Sequence, residues 1–226
     1  DPLMRGGRLC CCLLLASACA LPRITAAADA QIWRGNFLVA KQGALFNPCR
    51  SNERLVLDDA TPGRALEAAY RELARRRGRP IFVEFTGLRI NIAGTATATI
   101  RATRFERAQA DGPGCREDLN TIRLRAYGFN PFIQLEVGAR SVLLRRLPSG
   151  EPTKYQGAAL RVAEGEARYE GSTAESVMRV RVRAKTCSET LSSGIFSYQA
   201  LIEVDDERYV SCAYWGDLGP IPDLPR

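Results

Sequence analysis

The chain has 226 residues, of which 46% are hydrophobic and 25% charged, with a formal charge of +7. That is a globular composition with room for one or two modest domains. It contains no histidine, which excludes Ser–His–Asp and Cys–His catalysis and removes the commonest zinc ligand. Only Lys41, Lys154 and Lys185 are lysines, so the basic excess is arginine, and its interleaving with glutamate reads as solvated faces.

Met4 is the expected start of translation, followed by a positive stretch (Arg5, Arg8), an apolar run over 9–20, and small residues Ala26, Ala28 and Ala30. This is the pattern of a secretion signal over 1–30, with cleavage before Gln31, and the apolar run is too short to span a bilayer. Ala16-Ser17-Ala18-Cys19 offers an alternative, in which Cys19 is lipidated and anchors the chain. The expected location is therefore the periplasm, or the outer membrane as a lipoprotein. Membrane association is expected only through Cys19.

Removal of the signal leaves Cys49, Cys115, Cys187 and Cys212. Four cysteines in an exported chain read as two disulfides, with three pairings open in principle. Spacing favours Cys49–Cys115 and Cys187–Cys212, which keep each bridge inside one domain and are worth roughly 3–4 kcal/mol each in the chain-entropy model.

Residues 32–40 and 54–57 read as strands. Thr61-Pro62 then reads as an N-cap with proline at the first helical position, and Leu66, Ala69, Tyr70, Leu73 and Ala74 recur at helical spacing. Gly78 is the expected stop, with Arg75, Arg76 and Arg77 suiting the negative end of the helix dipole. Residues 80–85, 87–92 and 95–106 read as three further strands. Five strands around one helix is the element count of an OB-type barrel.

Within 34–115 these residues carry a resemblance: Arg34-Gly35-x-Phe37, Phe46-Asn47-Pro48-Cys49-Arg50, Glu53-Arg54, Leu66-Glu67-x-x-Tyr70, Arg79-Pro80-Ile81 and Gly114-Cys115. The segment resembles the C-terminal domain of the NlpE family of envelope lipoproteins. The resemblance implies an OB-like domain over 31–118, closed by Cys49–Cys115, and a role in envelope stress signalling. The Cys-x-x-Cys of that family's other domain does not occur after residue 30. With no histidine and only Met178 after the signal, no copper site or other cofactor is expected.

Residues 121–127, 132–137, 141–147, 157–163, 166–169, 177–184, 196–204 and 208–214 read as strands separated by turn residues, an all-β domain over 119–215. Strict alternation in Met178-Arg179-Val180-Arg181-Val182-Arg183 predicts valines inside and arginines in solvent. Ala126-Tyr127-Gly128-Phe129-Asn130-Pro131-Phe132, Cys187-Ser188 with Ser192, and Ser211-Cys212-Ala213 together resemble a group of uncharacterised bacterial periplasmic proteins. That resemblance implies a disulfide-pinned loop. The Pro/Gly-rich end, 216–226, is expected to be a loose tail.

The expected fold class is mainly β: an OB-like barrel with one helix, followed by a small all-β sandwich or barrel domain. The expected function is non-catalytic binding or stress sensing in the cell envelope, through an envelope protein partner and without nucleic acid. One alternative is an inhibitor of lysozyme or another envelope hydrolase, with Glu189, Thr190, Leu191, Ser192, Ser193 and Gly194 as its interaction loop. The other is an OB-type nucleic-acid or oligosaccharide binder.

Overall fold

A computed structural model describes residues 30–41, 43–74, 78–90, 98–129, 131–146, 150–157, 160–190 and 193–225. The first unit contains β1 (Gln31–Ala40), β2 (Gly43–Pro48), β3 (Leu55–Asp59), α1 (Ala65–Leu73), β4 (Ile81–Ile90) and β5 (Thr99–Gln109). β1 pairs with β2 and β4, β2 with β3, β3 with β5 and β5 with β4, which closes a five-stranded barrel. Among the described residues only β3–β5 is parallel. With its helix between β3 and β4, this is the OB-type arrangement.

The strand count matches expectation through two compensating errors. β2 was not anticipated: it is six residues long, and its Gly43 and Pro48 read as punctuation. Conversely, the segments read as strands over 80–85 and 87–92 are one strand, β4. Gly87 marks a register shift inside it, not a break. A Cβ at Gly87 would lie 2.5 Å from the Arg101 carbonyl oxygen, so only glycine allows β5 this close.

The helix starts later than the Thr61-Pro62 signal implies. Pro62–Arg64 forms a separate 3₁₀ turn with Gly63 at φ 65°. Capping comes from before the turn: Thr61 Oγ1 accepts the Ala65 N–H at 2.7 Å, and the Asp59 carboxylate accepts the Glu67 N–H at 2.9 Å. The helix ends at Leu73, with Ala74 already extended, rather than running to Gly78. Arg75, Arg76 and Arg77 lie outside the described residues. Leu66, Ala69, Tyr70 and Leu73 bury the apolar face of α1 in one cluster with Phe37, Phe46 and Phe85, so the helix fills the barrel.

The second unit contains β6 (Leu124–Phe129), β7 (Phe132–Val137), β8 (Ser141–Arg146), β9 (Thr153–Gln156), β10 (Arg161–Ala163), β11 (Glu166–Ser172), β12 (Val177–Glu189), β13 (Gly194–Val204) and β14 (Glu207–Trp215). Neighbours pair antiparallel from β6 to β9, β9 touches β11, and β11 to β14 continue until β14 pairs with β6. This is a closed barrel, not a sandwich. Of the strand expected over 157–163, only Arg161–Ala163 forms one, β10, with 158 and 159 outside the described residues; β9, just before it, was not expected, and both lie along β11. Met178, Val180 and Val182 point inward and are fully buried, while Arg179 and Arg183 are exposed. The barrel is filled by its own side chains, including Trp215, Tyr198, Tyr155 and Tyr169.

The C-terminal segment is not loose. It forms no strand, but Leu224 is only 6% exposed within the second barrel's core, and Ile221 packs against that core. Apolar burial outweighs the conformational freedom that proline and glycine suggested. The two barrels share one hydrogen-bonded sheet, because Gly194, Ile195 and Phe196 of β13 pair with Gln109, Ala108 and Arg107 of β5.

Candidate functional site

The junction between the barrels gathers a buried network of charged residues. The last five residues of β5 are all buried (Phe105, Glu106, Arg107, Ala108 and Gln109), because one side faces the first barrel's core and the other faces the second barrel. Arg107 is the centre. Its Nε donates to Glu84 and its Nη2 to Glu117, each at 2.8 Å, and its Nη1 donates to Gln109 Oε1 at 3.1 Å. Its guanidinium lies 3.8 Å from the Tyr214 ring centroid and 5.0 Å from that of Phe82.

The network reaches outward from both carboxylates. Glu84 also pairs with Arg34 at 3.1 Å, and Arg34 pairs with Asp217 at 2.6 Å. Glu117 accepts from the Tyr214 hydroxyl at 2.5 Å and pairs with Arg125, which reaches Glu136 at 2.8 Å. Burial opposes charge on Glu117, but Arg107, Tyr214 and Arg125 outweigh it and hold its carboxyl below the usual range. Burial likewise opposes charge on Arg107, and Glu84 and Glu117 outweigh it, so the guanidinium is locked on. Glu106 faces the other way. It pairs with Arg104 at 2.5 Å and accepts from Tyr198 at 2.9 Å and Thr86 at 3.1 Å, yet burial pushes its carboxyl above the usual range.

The structure joins Cys49 to Cys115 and Cys187 to Cys212, one of the three pairings open in the sequence. Cys49 follows β2, and Cys115 lies in the 3₁₀ turn Gly114–Arg116 of the linker between the barrels. Gly35 permits the approach: a Cβ there would lie 2.2 Å from the Asn47 carbonyl oxygen. A cleft of about 310 Å³ opens beside this bridge, lined by Trp33, Arg34, Arg50, Asp118 and Asn120. The second bridge connects β12 to β14 across β13. It packs with Leu119, Ile122, Phe196 and Tyr214.

Of the six loop residues expected to contact a partner, Thr190 is exposed and Glu189 half-buried. Gly194 is buried, and Ser193 is held by its carbonyl, which accepts the Ala110 N–H at 3.0 Å. The loop's end is thus tied to the first barrel. Leu191, Ser192 and the proposed lipidation site Cys19 lie outside the described residues. Met178 is buried in the second barrel's core. Among the described residues no group of three or more Cys, Asp or Glu could hold a metal ion, and no helix is long and apolar enough to cross a membrane.

The Arg107 network was not anticipated. The available signal was the run Arg104-Phe105-Glu106-Arg107 entering a strand end, where a half-exposed strand would alternate. Compared with protein-family models, with curated proteins and with solved structures, the chain matches none.

Proposed function

We propose that the protein is an exported component of a bacterial cell envelope, related to the NlpE C-terminal domain, that binds or senses instead of catalysing. The observation that carries this reading is the pair of disulfides. Such bridges persist in oxidising compartments, and here they join separate parts of the fold instead of decorating loops. The Cys49–Cys115 bridge supports a sensing role in particular. It ties the first barrel to the linker that carries Glu117, so reduction would loosen the segment holding Arg107 in place.

The test is to express the chain with its own leader, fractionate the cells, and titrate thiols under denaturing, non-reducing conditions. The expected result is an envelope fraction with Cys49, Cys115, Cys187 and Cys212 all unreactive, and a mature mass beginning at Gln31 or at a lipidated Cys19. Four reactive thiols in that fraction, or a cytoplasmic chain retaining its leader, would overturn the proposal.

A further inference from the structure

The outer face of the second barrel carries a second, separate feature. A cleft of about 1050 Å³ lies over β10, β11 and β12, and its lining includes Arg161, Arg168, Arg179, Arg181, Glu170 and Glu203. The register explains its charge. Arg161 is paired across strands with Arg168, Arg168 with Arg181, and Arg181 with Leu201. Three arginines therefore stand in one row across three adjacent strands, which are spaced about 4.8 Å apart.

Like charges directly opposite each other destabilise a sheet, whereas opposite charges stabilise it. The next row of the same face shows the ordinary solution: Glu170, Arg179, Glu203 and Arg208 are paired in register and alternate in sign. The arginine row does not alternate. Arg168 is shared between Glu164 at 2.5 Å and Glu166 at 3.1 Å, and Arg181 reaches Glu203 at 3.4 Å. Arg161 is exposed and has no acidic partner among the described residues. Planar guanidiniums at strand spacing match oxygens of neighbouring phosphate groups. Gly157, Gly171 and Ser172 keep that part of the cleft free of bulky side chains.

We infer that this cleft binds a multivalent phosphate-bearing anion, with Arg161, Arg168 and Arg181 as its ligands. The inference rests on the binding reading above and names the ligand class. The anion would convert a repulsive row into a bridged one. Two sources share this chemistry: a phospholipid headgroup and a free polyphosphorylated compound.

Calorimetric titration of the full, disulfide-bonded chain with tripolyphosphate tests it. The double variant R161Q/R181Q is expected to bind about tenfold more weakly. R140Q/R145Q, which removes the same charge from exposed positions outside the cleft, should bind like the parent chain. In phosphate-free, low-salt buffer Arg161→Gln should melt about 1–2 °C higher, since it relieves the row.

Co-sedimentation with phosphatidylglycerol vesicles but not phosphatidylcholine vesicles, lost in R161Q/R181Q, would assign the phosphates to a lipid. Tripolyphosphate binding without co-sedimentation would assign them to a free compound. No binding by the parent chain, or equal loss in both double variants, overturns the inference. Because the thiol titration is independent of this cleft, such a failure would leave the export reading standing.

Discussion

The two barrels close themselves in different ways. The first has five strands, one of them joined in parallel, and its interior is completed by a helix whose Leu66, Ala69, Tyr70 and Leu73 enter the core. The second closes with antiparallel pairs alone, and its interior is filled by side chains of its own strands, with Leu224 of the terminal segment added. The small barrel borrows an element from outside its sheet, while the larger one supplies its own filling. They meet at β5 and β13, where the interface is polar and charged at its centre.

The largest expected effect follows from that centre. Arg107→Ala would leave Glu84 and Glu117 buried without their shared cation, a loss of about 3–5 kcal/mol. Urea unfolding should then separate into two transitions, one per barrel, where the parent chain gives one. A single transition at the parent midpoint would show that the charged centre does not couple the barrels.

The disulfides sharpen the same comparison. In the Arg107→Ala background, where the two transitions separate, replacing Cys49 and Cys115 with serine opens a 66-residue loop and should cost about 4 kcal/mol, read in the first barrel's transition. Replacing Cys187 and Cys212 opens a 25-residue loop and should cost about 3 kcal/mol, read in the second. Closure itself is probed by Leu66→Ala in the helix and Leu224→Ala in the terminal segment. The first should cost about 3 kcal/mol and the second about 2, since a chain end relaxes into the space left behind. Equal losses would mean that the terminal segment is as integral to its barrel as the helix is to its own.

The β-rich class, the helix face and the inward valines of β12 were legible because each follows from a local period. Met178, Val180 and Val182 alternate with arginine regardless of what surrounds them. What was illegible depends on distant partners. β2 exists because Phe46 is needed between Phe85 and Trp33, where ring centroids lie 5.0 and 6.4 Å apart. Gly87 reads as a turn until β5 is placed beside it. Glu84, Arg107 and Glu117 look like surface charges until two barrels cover them from opposite sides. Leu224 sits among prolines that argue for a free end, and only the barrel core explains its burial. The same limit applies to the arginine row. Alternation along β12 sends Arg181 outward, but only the register of β10 and β11 places Arg161 and Arg168 beside it.

The smallest effect separates two buried carboxylates at the junction. Burial raises the Glu106 carboxyl above its ordinary range despite Arg104 and Tyr198. The folded chain therefore holds that proton more tightly than the unfolded chain does. Stability from this group is complete below the ordinary carboxylate range and is lost as pH rises through the raised value. Glu106→Gln mimics the protonated form, so it should be more stable than the parent at neutral pH, with the difference vanishing in acid. Glu117 has the opposite sign. Its carboxyl is held low, so its contribution is present at neutral pH and lost as pH falls through the lowered value. Glu117→Gln should therefore be less stable than the parent at neutral pH and converge with it in acid. Urea midpoints of the two variants across that range check both signs. Parallel curves for the two variants would show that the junction treats its carboxylates alike. Curves that converge from opposite sides would show that Arg107, Tyr214 and Arg125 outweigh burial at Glu117, while Arg104 and Tyr198 do not outweigh it at Glu106.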